Sequence, residues 1–320
     1  MVLLLSLMAA AAGLWTWFHQ TPRPARTLSQ PPASTEVVQP PKVAPANAPH
    51  MVTLGNQPVR VSRSAADWTA VQMILDTQAA YEQRIKAIAS LSGISPSPSE
   101  WKALQQFLLQ PDPLDRDQLG QVIKNRLMDV LCEVYPPPEG LGNILVQIYR
   151  DSQQNEVVRD YAVQHLGAYF EQISAQPDSA VAQQTAQDVL WEAANETSDS
   201  VGGTALLALK RLSQESSGID QGKVAATALQ MAQDNNAGEL THITAYQVCA
   251  SLGVGDALPA ILAAAQEANS KPEQISAIAA LGALGGAGQE PFLAGLVQGN
   301  DDRLRLPAQH ALEQIKQRLR

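Results

Sequence analysis

The stretch EVVRDYAVQHLGAYF at 156–170 sets Arg159, Asp160, Tyr161 and His165 within seven residues. A guanidinium, a carboxylate, a phenol and an imidazole are groups that acid–base catalysis uses, histidine above all. They are also groups that brace one helix against the next. The choice depends on whether the stretch is unique or one copy of a repeated unit.

Other reactive groups are scattered. His165, His242 and His310 are far apart in the chain, and Cys132 and Cys249 form no C-x-x-C or Cys/His pair. No zinc or disulfide framework follows from such spacing, and no metal or cofactor is expected. DPLDRDQLG brings Asp112, Asp115 and Asp117 together, but a calcium loop also needs a turn glycine and a closing glutamate. Asp115 with Gln118 three residues later reads as a helix cap. GVGDAL (253–258) and GALGGAG (282–288) echo phosphate loops without a preceding strand or a complete G-x-G-x-x-G, and are expected to be turns between helices. No G-x-S-x-G, H-E-x-x-H or P-loop is present. No catalytic residue is assigned, and the chain is expected not to be an enzyme.

The elements that carry these residues are helical. Hydrophobic residues make up 45% of the 320-residue chain and aromatics only 5%, so a core must be built from Ala, Leu, Ile and Val, as in packed helices. Residues 1–63 hold Arg23, Arg26, Lys42, Arg60 and Arg63 against Glu36, a net +4, so the remainder carries −13 of the overall −9. A body of that sign repels phosphate backbones, and no nucleic acid is expected as partner.

Residues 2–18, VLLLSLMAAAAGLWTWF, are uncharged and just long enough to span a bilayer. They are read as an anchor, with a cleaved signal peptide as the alternative, giving 1–18 as a membrane segment. The Pro-rich stretch 19–63 is read as a disordered linker. It could reach on the order of 100 Å at about 3.1 Å per residue. Within it, 51–61 could form a short strand. The linker favours a body facing the periplasm or cell envelope. A secreted body is the alternative, as is a cytoplasmic one by the positive-inside rule, since Arg23 and Arg26 follow the segment.

From residue 64 to 320 helical periodicity takes over, broken by short turns. In V158-R159-x-x-A162-V163-x-x-L166-G167 a small residue stands four before a leucine. The pattern recurs, with marker leucines at Leu91, Leu131, Leu166, Leu209, Leu252, Leu281 and Leu312 and a second helix after each marker except the last. Helices A and B therefore alternate about seven times. Ala and Leu make a stripe on which the next A helix lies, and each buried leucine contributes about 1.5–3 kcal/mol. Glycine after the leucine, as at Gly167, is expected to end the helix in the left-handed conformation.

The residues 158–167, together with LRLPAQHALE (304–313) and SLGVGDALPAIL (251–262), resemble HEAT repeats of the phycobilin-lyase-like type. The resemblance implies an all-α, right-handed α-solenoid of about seven helical hairpins over 64–320. It also implies that an arginine early in helix A, here Arg159, joins a polar ladder between repeats, while Ala162 and Leu166 stack. The family holds enzymes, adaptors and transport factors, so no activity comes with it.

In AVAQQTAQDVLWEAA the core stripe is Ala182, Ala186, Val189, Leu190 and Ala193, leaving Trp191 beside Gln184, Gln187 and Asp188. A tryptophan on a polar face is a binding anchor. B helices line the concave side of such solenoids. The function expected is a membrane-tethered, non-enzymatic scaffold that binds a protein or peptide there; the alternative is a repeat-family enzyme with a phycobilin-lyase-like activity.

Overall fold

The computed structural model describes residues 66–111, 119–174, 176, 178–214 and 218–320. All of them lie in the unit Val61–Arg320. The anchor at 2–18, the linker at 19–63, the strand at 51–61 and the Asp112–Asp115–Asp117 cluster lie outside the described residues. Among those described, no helix is long and apolar enough to cross a membrane.

The described residues form fourteen α-helices and no strand. They are α1 (Ala66–Leu75), α2 (Tyr81–Ala89), α3 (Pro98–Leu109), α4 (Leu119–Glu133), α5 (Leu141–Arg150), α6 (Glu156–Ile173) and α7 (Ala180–Ala193). Then follow α8 (Ser200–Gln214), α9 (Gln221–Gln233), α10 (Glu239–Leu252), α11 (Leu258–Glu267), α12 (Lys271–Leu284), α13 (Glu290–Gln298) and α14 (Asp302–Arg318). Short 3-10 turns, Gly255–Ala257 and Ala287–Gln289, open α11 and α13, so 253–257 and 285–288 form inter-helix turns, while Gly282, Ala283 and Leu284 still belong to α12.

Local chemistry sets the boundaries. Ser97 and Glu100 form a reciprocal capping box on α3, with Pro98 in its first turn. Asn155, Asp220 and Asp301 cap α6, α9 and α14 by accepting from backbone N–H groups two residues on, which otherwise lack partners. Gly253, at φ +70°, ends α10, and the N–H of Val254 donates back to the Cys249 carbonyl at 2.9 Å.

The even-numbered helices are the A helices, and each packs on the next in an unbroken row from α2 to α14. The odd-numbered B helices cover one side of that row. In this phase the first described helix is a B helix and the last an A helix. The architecture fits a HEAT-like α-solenoid, and one buried apolar cluster runs through it, from Val71 on α1 to Ile315 on α14.

The A-helix stripe explains the packing and corrects its register. Ala162, Leu166, Leu209 and Leu281 are fully or almost fully buried. Leu252 is only partly buried; Cys249, three residues earlier, takes the core position, with Ala245 four before it as Ala162 stands before Leu166. Leu312, on α14, is also only partly buried. Gly167 does not end its helix. It sits inside α6, where an added Cβ would fall 2.9 Å from the Cβ of Ala208 on α8. Gly282 faces Ala311 of α14 in the same way. At these two positions the missing side chain admits the neighbouring A helix; at Gly253 it permits the turn.

Candidate functional site

The four groups of 159–165 point in different directions. Arg159 reaches back to α5: its Nε donates to the Tyr149 carbonyl at 2.7 Å, and its guanidinium carbon lies 5.4 Å from the centre of the Tyr149 ring. Its Nη2 also donates to Glu196, in the turn after α7, at 2.8 and 3.1 Å, and the Tyr149 hydroxyl donates to the same carboxylate at 2.6 Å. Asp160 faces the start of α8, near Ser200 and Thr204, and its Oδ1 is buried without a hydrogen-bond partner; burial pushes its carboxyl above the usual carboxylate range. His165 faces α4, with Nε2 2.9 Å from Asn125 Oδ1 and 3.5 Å from Asp129 Oδ1. Burial lowers its tendency to protonate, against the opposing pull of Asp129. Tyr161 is half-buried, and desolvation raises its phenol. No reacting centre is shared by the four.

Arg159 is instead one copy of a repeated contact. The fourth residue of α2, α6, α10, α12 and α14 donates a side-chain hydrogen bond to a carbonyl at the end of the preceding B helix. The pairs are Arg84 to Ile74, Arg159 to Tyr149, His242 to Asp234, Gln274 to Ala265 and Arg305 to Gly299. On α4 Lys124 does the same to Gln110 at 2.6 Å. The last turn of a helix leaves carbonyls without intrahelical partners, and a donor from the next helix satisfies one of them. Where the donor is cationic it also meets the negative end of the helix dipole. α8 departs from the rule. Its fourth residue is Gly203, where a Cβ would fall 3.0 Å from Thr244 Oγ1, and a Cβ on Gly202 would collide with the Glu196 carbonyl. The donors stand seven residues, two helical turns, before Leu91, Leu131, Leu166, Cys249, Leu281 and Leu312. That spacing is the signal that would have revealed them.

These contacts join into a polar spine along one edge of the A row. From Glu196 the chain continues through Thr197, which donates to Asp234 at 3.0 Å, and through the Gly238 N–H, which donates to the Thr197 carbonyl at 2.7 Å. His242 then bridges Asp234 and Glu273. Beyond it Lys271 pairs with Asp301 at 2.9 Å.

The B helices present a different surface. On α7, Val181, Gln184, Asp188 and Trp191 share one stripe, and Val181 is 81% exposed. Gln184 donates to Asp188 at 2.8 Å. Gln187, expected on this face, is partly buried to one side. Trp191 is less free than a bare anchor: it is half-buried against the core, and the Lys223 ammonium of α9 lies 3.9 Å from its ring centre. Ala226, Leu229, Gln230, Gln233 and Asp234 line a shallow open concavity further along α9.

Trp101 packs in the core, its indole N–H donating to the Glu139 carbonyl at 2.8 Å. Cys132 and Cys249 are free thiols, both pushed up to about 12, first by burial. Among the described residues no cluster of three or more His, Cys, Asp and Glu is placed to hold a metal ion.

The site and fold together define a stack of helical hairpins with a laced edge and an open B-helix face. No family model and no curated protein matches the chain. Two solved structures are similar in outline. One is human deoxyhypusine hydroxylase in complex with glycerol, at 18% identity and TM-score 0.37 over 79% of this chain and 96% of that one. The other is an engineered protein, at 16% identity and TM-score 0.39 over 79% and 98%. The first name corrects the expectation of a non-enzyme, because a chain similar to this one in outline is itself a hydroxylase. At that identity and score the likeness brings no activity to this chain.

Proposed function

We propose that the helical stack binds a protein or peptide segment across the B-helix face of α7 and α9, with Trp191 as its central contact. The supporting observation is the α7 stripe: an exposed Val181, two hydrogen-bonding side chains, and a half-buried Trp191 under a mobile-ended lysine. A large ring seated in the core loses little freedom on binding, which makes it an effective anchor. Lys223 can swing off the ring, since an exposed cation–π contact contributes only about 0.5–1 kcal/mol.

The test compares affinity capture by the wild-type chain with capture by Trp191→Ala and Val181→Asp. Both variants should lose the same captured proteins. Val181→Asp should do so with an unchanged melting temperature, because the residue is on the surface. Capture that survives in Val181→Asp and Trp191→Ala rejects this face.

A further inference from the structure

The hydrogen bonds at His242 do not close for a neutral ring. The Asp234 carbonyl oxygen can only accept, so ring Nε2, 2.8 Å away, carries a hydrogen. A neutral imidazole then has a bare lone pair at Nδ1. That atom lies 2.9 Å from Glu273 Oε1, which also accepts from the Tyr246 hydroxyl at 3.2 Å. Two lone pairs at this distance repel, whereas a proton between them makes a charge-assisted hydrogen bond. The His242 and Glu273 side chains are 15% and 14% exposed, and the ring stacks on Tyr246 at 5.6 Å, so water does little to dilute the contact.

The charged and titratable groups around the pair come from three elements. From α12 come Glu273 and Lys271, the latter held by Asp301 and Gln274. From the turn after α9 comes Asp234, whose carboxylate accepts from the Asn236 N–H and Thr197. On the helix of His242 itself stand Glu239, which accepts from Ser270, and Tyr246.

We infer that the His242–Glu273 contact holds one proton between ring Nδ1 and the carboxylate, and that its loss to solvent loosens the packing of α10 on α12. The bonded form is the protonated one. Its contribution is therefore full in acid and is lost as pH rises. The joint is a pH-responsive element among contacts whose other side-chain donors to helix-end carbonyls are arginine, lysine and glutamine.

The protein contains its own control. At the equivalent position of α12, Gln274 Nε2 donates to the Ala265 carbonyl at 2.8 Å, and this donor does not titrate. His242→Gln thus keeps the donor and removes the proton. Glu273→Gln offers an amide N–H to the Nδ1 lone pair and satisfies a neutral ring. Thermal unfolding of the full chain from about pH 5 to about pH 9, around the usual imidazole range, should show wild type losing a few degrees more than either variant as pH rises. Parallel curves overturn the inference. Ring-nitrogen NMR, read by difference from a variant that folds or directly in wild type, decides independently: a hydrogen shared at Nδ1 at about pH 5 is expected. A bare Nδ1 there overturns the inference.

Discussion

The Nε of Arg159 lies 2.7 Å from the carbonyl of Tyr149, ten residues earlier, and the Nε of Arg84 lies 3.0 Å from that of Ile74, again ten residues earlier. In both places a B helix ends, the chain turns, and the fourth residue of the next A helix reaches back to satisfy the free carbonyl. Arg159 adds Glu196 from the following repeat, so one side chain ties three consecutive elements.

Removing it should therefore be costly for a residue that is not part of the apolar core. Arg159→Ala leaves the Tyr149 carbonyl and Glu196 short of a donor, and about 2–3 kcal/mol of stability should be lost, as for hydrogen bonds to a charged group. Arg159→Lys keeps the charge but cannot make both contacts, and should recover about half. Urea unfolding of the three proteins measures this. A loss under about 0.5 kcal/mol for Arg159→Ala would mean the contact is a surface pair of little weight.

Burial separates two leucines with the same sequence signature. Leu166 of α6 is 1% exposed and lies beside Val146 of α5 and Ala186 of α7, whereas Leu312 is partly open on the last described helix. Leu166→Ala should cost about 2–5 kcal/mol. Leu312→Ala should cost clearly less, since fewer of its atoms leave the core. Equal losses in thermal or urea unfolding would contradict the difference in their burial.

Gly167 and Gly253 should respond to alanine for different reasons. Alanine inside α6 gains about 1 kcal/mol of helix propensity, but its Cβ would be 2.9 Å from that of Ala208. The crowding outweighs the gain, and Gly167→Ala should lose about 1–2 kcal/mol. The double variant Gly167→Ala/Ala208→Gly should regain most of it, and a double-mutant cycle measures that coupling. Gly253→Ala has open space around its Cβ and fails only on its φ of +70°, at about 1 kcal/mol.

Two aspartates should change the pH dependence of stability in opposite senses and in different pH windows. Asp301 is held down to about 2 by its hydrogen bonds to Lys271 and Arg303. A depressed carboxyl contributes above its unfolded value, about 3.9, and that contribution is lost as pH falls towards about 2. Asp160 is raised by burial, so its ionised form opposes folding as pH climbs past the unfolded value. Asp301→Asn should flatten the acid limb of the stability curve. Asp160→Asn should leave acid stability alone and raise it at neutral pH. A fall at neutral pH would show that the carboxylate's interactions with the start of α8 outweigh the desolvation.

Much of the fold was legible because apolar residues recur at helical spacing. The pattern at 158–167 and its copies placed an A helix at every marker. It could not say which of several nearby apolar residues enters the core, so Leu252 stood where Cys249 belongs. Nor could it separate the glycine that turns a chain from the glycine that admits a neighbour, since both follow a leucine. For the candidate face, spacing alone put Gln184, Asp188 and Trp191 together on α7. The Lys223 ammonium over the Trp191 ring comes from another helix, more than thirty residues on, and no local pattern contains it.

Periodicity, caps and turns thus determined the helices and their alternation, because those depend on residues within a turn or two of each other. Only the tertiary structure decided what Arg159, His165 and His242 touch. Their partners lie on neighbouring helices, and a side chain's partner is set by how two helices pack. That packing decided that Arg159 braces a helix end rather than joining Asp160, Tyr161 and His165 in one reactive centre. It also set His242 between two acceptors, where a proton becomes part of the structure.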